Sequence, residues 1–327
     1  MVGKLESGAL VTVFGGTGFV GRHVVRALAR EGYRIRAATR RPDLAGYLQP
    51  MGSVGQIHAV QANLRYPESV ARAIEGSAAV INLVGVLVKS GKQTFETVHV
   101  DGARAVAKAV REAGVQHLVH VSAIGADPRS KGQYGRSKAA GEAAVLEQFP
   151  DAVIVRPSIV FGAEDTFFNR FADMARMSPL MPLIGGGRTR FQPIFAGDVA
   201  GAIVAAVEGK GKPGTVYELG GPEVISFRKL LDRTQEWAGR DRWYFRMPFW
   251  LAKLAAAMTA PLPNSLRPLT VDQVRMLQTD NVVSEAAIKD GRTLAGLGIM
   301  SAHAMDTIVP VYLEQYRPKG QYSHYKG

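Results

Sequence analysis

The fold is decided by residues 10–30, LVTVFGGTGFVGRHVVRALAR. A short β-branched run breaks into clustered glycines and then resumes with apolar residues at helical spacing, which predicts strand, tight loop and helix. Gly15, Gly18 and Gly21 stand three apart. The first lets the chain turn off the strand, the second lets backbone approach a pyrophosphate, and the third lets the helix pack closely. A phosphate placed there meets the free N–H groups and positive dipole end of a helix starting near Thr17 or Gly18. The stretch therefore reads as a dinucleotide site.

Outward from it, the first half alternates strand-like and helix-like segments as a doubly wound parallel sheet requires. Strands are expected at 10–14, 34–39, 56–60, 79–84, 118–121 and 152–155, and helices at 19–30, 68–74, 94–113 and 132–149. Right-handed crossovers bring the C-terminal strand ends to one edge, where ligands bind in such sheets. The fold class is α/β, a Rossmann-like doubly wound parallel sheet with a smaller α/β C-terminal cap. Residues 1–156 form the nucleotide domain in this reading, and 157–327 the cap, with some segments returning to the sheet. Within the cap Asp198 and Ser226 can each N-cap a helix, and 215–219 resembles a returning strand.

With 327 residues, 46% hydrophobic and 21% charged, the chain is long enough to bury a full core in one or two domains. Cysteine is absent, which excludes disulfides and thiolate chemistry, and the seven histidines show no metal-ligand spacing, so no metal is expected. The net charge of +12 suits nucleic acid, anionic lipid or an acidic protein partner, and charge by itself does not choose among them. No apolar run is long enough to span a bilayer, and the first strand begins so early that no presequence is expected.

The tip of the second strand selects the dinucleotide, because a carboxylate there bonds the ribose 2′-OH of NAD while arginine accommodates a 2′-phosphate. Here it reads AATRRPD: Thr39, Arg40 and Arg41 offer a hydroxyl and two guanidiniums, and Asp43 lies beyond Pro42. NADP(H) is the expected cofactor. Tyr134 and Lys138, in QYGRSKAAGE, are four apart and share a helical face. A free tyrosine ionises at about pH 10, and an adjacent ammonium favours its phenolate.

Together GGTGFVG, Asn63-Leu64, VSAIGA, YGRSK and RPSIVFG resemble the extended short-chain dehydrogenase/reductases over roughly residues 8–220. Within that superfamily GGTGFVGRHVV, VSAIGADPRSKGQYGRSKAAGE, VRPSIVFGAEDTFFNRFA and the late PLTVDQVRMLQTDNVV are similar to the nucleotide-binding accessory subunits of respiratory complex I and their alphaproteobacterial relatives. The resemblance implies that Gly15, Thr17, Gly18, Phe19 and Val20 cradle the pyrophosphate, Arg40 and Arg41 the 2′-phosphate, and Asn63 and Leu64 the adenine. It implies Val84 and Gly85 under the adenosine ribose, and Ser122, Tyr134, Lys138, Pro157, Ser158 and Ile159 near the nicotinamide.

Active members of the superfamily use an Asn, Ser, Tyr, Lys tetrad, and only Tyr134 and Lys138 match it cleanly. His99 stands at the asparagine position, and Ala123 at the hydroxyl position with Ser122 one residue early. The expected function is a subunit without independent activity that retains NADP(H). Complex I subunits and the membrane surface are its expected partners, and no nucleic acid. Its expected place is peripheral, on the cytoplasmic face of the bacterial inner membrane or the equivalent matrix side. An NADP-dependent reductase, a nucleotide-sugar epimerase and a redox-sensing regulator are the alternatives. Residues 240–263, RDRWYFRMPFWLAKLAAAMTAPLP, read either as core or as a docking surface, with Arg240, Arg242, Arg246 and Lys253 facing anionic lipid or an acidic subunit.

Overall fold

The computed structural model describes residues 5–261, 269–318 and 320. Strands β1 (Leu10–Phe14), β2 (Arg34–Thr39), β3 (Ile57–Gln61), β4 (Ala79–Asn82), β5 (His117–Val121) and β6 (Val153–Pro157) alternate with α1 (Phe19–Arg30), α2 (Pro67–Ile74), α3 (Gly102–Glu112) and α4 (Gln133–Gln148). The chain runs on through β7 (Val160–Phe161), α5 (Phe168–Met177), β8 (Leu180–Ile184), β9 (Arg190–Phe191) and β10 (Ile194–Phe195). It then forms α6 (Ala196–Val207), β11 (Val216–Leu219), β12 (Ile225–Ser226), α7 (Phe227–Trp237), β13 (Trp243–Met247) and α8 (Phe249–Met258). Three short helices follow, α9 (Val271–Met276), α10 (Glu285–Lys289) and α11 (Met305–Leu313).

Two compact units result. The first comprises the described residues of Met1–Pro157, Ala196–Leu219 and Val283–Ser301. Its sheet has the order β11-β6-β5-β4-β1-β2-β3, with every pair parallel. The order reverses at β1, which pairs with β2 on one side and β4 on the other, and the crevice beyond this switch point is where such sheets bind ligands. Alternation in β1 splits the core between two faces. Phe14 joins Val70, Ala73, Val106 and Val110 of α2 and α3, while Val13 lies beside Gly16 with Val25 of α1. The first face is almost wholly aliphatic, as both-sided burial of a parallel sheet demands.

Several elements differ from expectation. The helix expected over 94–113 opens with a π-helical turn, Glu96–Asp101, before α3. β4 stops at Asn82 because that side chain accepts the N–H of Val84 and turns the chain. β6 extends to Pro157 because β11 pairs along it. Asp198 is not an N-cap: it is buried in the first turn of α6, which begins at Ala196. Ser226 does cap α7, its Oγ accepting Lys229 N–H.

The second unit comprises the described residues of Ser158–Phe195, Gly220–Val282 and Ala302–Gly327. Its core is aromatic, with Phe167, Phe168, Phe171, Phe191 and Phe227 meeting edge to face or tilted at 5.0–6.3 Å. In the 240–263 stretch, β13 pairs with β8, and Phe249 rests its ring on Gly185. α8 buries Ala252 and Ala256 while Trp250, Leu251, Leu254 and Met258 face outward. Trp243 is 79% exposed and Trp250 67%. Arg240 and Arg242 do not form an open basic face, since they donate to the carbonyls of Tyr316 and Ala175. Leu262 and Pro263 of that stretch lie outside the described residues.

A Cβ at Gly21 would sit 2.1 Å from the carbonyl oxygen of Gly15, a backbone atom that cannot step aside. Gly21→Ala is therefore expected to cost about 2 kcal/mol or more in denaturant unfolding. Gly46→Ala, at a site with no atom within 4 Å, should stay within about 0.5 kcal/mol of the parent chain.

Candidate nucleotide-binding site

β1 ends and the chain turns at Gly15, whose φ of +80° is natural only to glycine. Gly15 N–H bonds Ala38 O of β2, and Gly18 N–H closes back on Gly15 O at 2.9 Å. Arg22 N–H bonds Gly18 O, so helix geometry leaves the amides of Phe19, Val20 and Gly21 without intrahelical acceptors. Gly18 is the N-cap, no side chain caps it, and no acidic residue stands in the first turn. The positive end of α1 thus stays open. A Cβ on Gly15 would press to 3.3 Å of Val84 N, so the loop also touches the segment after β4 that carries Val84 and Gly85.

The hydroxyls of Thr17 and Thr39 lie 3.3 Å apart, joining the glycine loop to the tip of β2. Tyr47 OH donates to Thr17 O at 2.6 Å, and Arg22 lies over the Tyr47 ring at 5.1 Å. Just past the tip the two arginines differ. Arg41 grips Asp43 through Nε and Nη2 at 2.9 and 2.7 Å, both side chains being exposed, and that contact holds the Asp43 carboxyl below its usual range. Arg40 is exposed and makes no ion pair among the described residues. Beyond β3, Asn63 uses its Oδ1 on Arg65 N–H and its carbonyl on Ser69 Oγ, a fixed turn that seats Leu64 against the aliphatic core beside Gly102.

On α4, Tyr134 and Lys138 face His99. The Val86 N–H donates to His99 Nε2 at 3.0 Å, so the ring proton sits on Nδ1 and is donated to Ser137 Oγ at 2.8 Å, which in turn donates to Tyr134 O. His99 is neutral: burial, then the nearby Lys138 charge, push it down to about 3. It takes up a proton on unfolding, so acid between about pH 6.5 and 3 favours the unfolded chain. Tyr134, edge-on to Phe95 and His99, is pushed by its dry surroundings up to about 12. The phenolate that the Tyr-Lys spacing favours is thereby opposed by desolvation. Lys138 Nζ donates to Val121 O at 2.8 Å and lies within reach of Gly85, where a Cβ would be 3.9 Å away.

Ser122 is buried at the end of β5, and its Oγ has no hydrogen-bond partner among the described residues. Ala123, one position on, is half-buried and carries no hydroxyl. Pro157 ends β6 in the same sheet, its carbonyl accepting Ile124 N–H. Ser158 and Ile159 belong to the second unit. There Ser158 Oγ donates to Asn281 Oδ1 at 2.7 Å and Ile159 N–H donates to the same oxygen at 3.0 Å. Asp280 beside it holds Arg190. The late TDN sequence is thus the seat of the Ser158-Ile159 turn.

A bare helix end, a glycine cradle with no room for side chains, a tip lined by hydroxyl and guanidinium, and an orphaned serine hydroxyl fit a dinucleotide. Sequence reasoning missed Tyr47, which carries no local signal, and Glu142, which continues the Tyr134-Lys138 spacing by one further step of four.

Comparison with known proteins agrees. Residues 11–220 match the NAD dependent epimerase/dehydratase family. The chain is 36% identical over 298 residues to the mitochondrial "NADH dehydrogenase [ubiquinone] 1 alpha subcomplex subunit 9" of Arabidopsis thaliana, covering 86% of this chain and 73% of that one. It is 39% identical over 219 residues to the Mus musculus protein of the same name, covering 66% of this chain and 58% of that one. The fold is similar to that of Citrobacter sp. triphenylmethane reductase complexed with NADP(H), with a TM-score of 0.71, 19% identity and coverage of 94% and 99% of the two chains. This chain belongs to the NAD dependent epimerase/dehydratase family, among the relatives of mitochondrial NADH dehydrogenase subunit 9.

Proposed function

We propose that this chain is a non-catalytic accessory subunit of respiratory complex I that keeps NADP(H) as a structural ligand. One observation carries the reading: an intact phosphate cradle stands beside a constellation in which both ring nitrogens of His99 are committed to Val86 and Ser137, and Ala123 has no hydroxyl to offer. The names of the mitochondrial relatives support it. Gly15, Thr17, Gly18, Phe19 and Val20 would hold the pyrophosphate, Arg40 with Arg41 the 2′-phosphate, and Asn63 and Leu64 the adenine. Val84 and Gly85 would pass under the ribose. Ser122, Tyr134, Lys138 and Pro157 would line the nicotinamide half. Nucleotide binding then stabilises the folded chain by mass action, with no hydride passed to a substrate.

The position is peripheral, on the cytoplasmic face of the bacterial inner membrane or the matrix-side equivalent. No helix among the described residues is long and apolar enough to cross a membrane. Support comes from the outward Trp243, Phe245, Trp250, Leu254 and Met258 of the second unit, with exposed Arg246 among them. Aromatic and long apolar side chains carried by one strand and the next helix suit a headgroup layer or an apolar subunit face.

Arg40→Ala should weaken NADPH binding by about 1.5 to 3 kcal/mol, roughly ten- to a hundredfold in Kd, and leave NADH binding nearly unchanged, as titration calorimetry would read. Arg41→Ala is expected to cost less, since its guanidinium already has Asp43. Equal losses for both nucleotides would remove the 2′-phosphate assignment.

For the structural role, Tyr134→Phe should leave NADH:quinone turnover of isolated membranes intact, whereas Gly18→Asp should remove the subunit from the native complex by repelling the pyrophosphate. An NADPH-dependent reaction abolished by Tyr134→Phe in a folded chain would favour a reductase instead.

Docking is read by two variants. Trp243→Ser with Trp250→Ser should release the chain from salt-washed membranes without lowering its melting temperature. Phe249→Ser should destabilise the chain by about 3 kcal/mol, because that ring is packed against Gly185.

A further inference from the structure

The peptide unit between Thr17 and Gly18 is held from both ends. Its N–H, that of Gly18, bonds Gly15 O at 2.9 Å inside the glycine loop. The carbonyl of a trans peptide points the opposite way, and here the Thr17 carbonyl accepts the Tyr47 hydroxyl at 2.6 Å. Tyr47 comes from the chain beyond β2, 30 residues downstream. The Arg22 guanidinium of α1 lies over its ring, 5.1 Å from the centroid. Beside it the hydroxyls of Thr17 and Thr39 are 3.3 Å apart. The glycine loop and the start of α1 are thus tied to the tip of β2 and to the segment that follows it.

Between Arg40 and Tyr47 the chain is stiff. It forms two 3₁₀ turns, Pro42–Leu44 and Gly46–Met51. Leu44 N–H bonds Arg41 O, Ala45 N–H bonds Pro42 O and Leu48 N–H bonds Ala45 O, at 3.0 to 3.2 Å. Pro42 fixes one backbone angle, and the Arg41-Asp43 ion pair spans the first turn. Ala45 and Leu48, on either side of Tyr47, are buried, so the run has its own seat in the core. A short rigid piece therefore joins the arginines of the strand tip to the residue that grips the glycine loop. Tyr47 itself is 42% exposed. Water could serve its hydroxyl there, so burial does not force the bond to Thr17.

We propose that Tyr47 is a positioning residue for the 2′-phosphate: by gripping the Thr17 carbonyl it fixes the span between the pyrophosphate cradle and the Arg40-Arg41 turn, and so sets how strongly the chain prefers NADPH to NADH. The proposal rests on the nucleotide reading of the site given above. The pyrophosphate and the 2′-phosphate belong to one ligand of set length. Two anion sites reinforce each other on such a ligand only when their separation is held to match it. NADH has nothing to place at the arginines, and its pyrophosphate meets a loop that the Gly18-Gly15 bond already shapes without Tyr47.

The test measures the Kd of NADPH and of NADH by titration calorimetry for the parent chain, Tyr47→Phe and Tyr47→p-aminophenylalanine, with melting curves confirming the fold of each. Phenylalanine keeps the ring beneath Arg22 and loses only an exposed oxygen, and the aniline restores a donor at the same place. Tyr47→Phe should weaken NADPH about three- to tenfold, as loss of one neutral hydrogen bond does, and leave NADH within about twofold. The aniline should recover most of that loss. In an Arg40→Ala background Tyr47→Phe should change NADPH binding by no more than about twofold, because the main contact it positions is gone. Equal losses for the two nucleotides, unchanged NADPH binding, or losses that add in the double variant would overturn the proposal. A second measurement needs no nucleotide: the labelled Thr17 carbonyl carbon should shift in Tyr47→Phe and return with the aniline in carbon NMR. A carbonyl resonance that does not move also overturns it. A chain that binds neither NADPH nor NADH would defeat the nucleotide reading, and the Thr17 resonance would still decide the Tyr47 contact.

Discussion

The contact on which the structure depends is the approach of α1 to the loop before it, where Gly21 lies against the carbonyl of Gly15 with no space for even a methyl group. That closeness turns the chain off β1 and straight into a helix, and leaves the first amides of α1 facing the crevice at the switch point of the sheet. It also brings Gly15 against the backbone after β4, and Thr17 within reach of Thr39. Strand order, loop and helix end therefore converge on one cradle lined by backbone N–H groups. Backbone donors hold their geometry because the fold fixes them, and they carry no charge that burial would penalise.

Beside this cradle the side chains form a dry, mostly neutral set. His99 is held as a neutral ring by a donor on one nitrogen and an acceptor on the other, and Tyr134 is held as a phenol by burial. Lys138 is pushed down by burial to about 8, with Glu142 working the other way. A site in which the histidine is locked and the tyrosine resists ionisation is well made for holding a ligand still.

The second unit shows how a buried aromatic cluster and an exposed apolar strip can coexist. The phenylalanines satisfy one another, and α8 seats itself with two alanines and the Phe249 ring, leaving its larger side chains to solvent. Inverting a helix in this way, small residues inward and large ones outward, leaves apolar area that the unit itself does not cover. The Asp280-Asn281 pair works at the same scale, fixing Arg190 and the Ser158-Ile159 turn through hydrogen bonds between segments far apart in sequence.

The sequence by itself determined the Rossmann-like alternation, the glycine-rich turn into the first helix, the arginines at the strand tip and the residues that stand at positions 99 and 123. These are local properties, written in glycine spacing, in the period of apolar residues and in the residue at a given step of a strand or helix. Strand ends were less legible, because Asn82 stops β4 with a side-chain bond and β11 lengthens β6 from outside it. Only the tertiary structure decided that Asp43 occupies Arg41, that Arg240 and Arg242 bind carbonyls, that Phe249 is packed while Trp243 and Trp250 are exposed, and that Glu142 meets Arg156. Each of those outcomes turns on which groups compete for one charge or one patch of surface. That competition depends on distance and desolvation, which no spacing along the chain specifies.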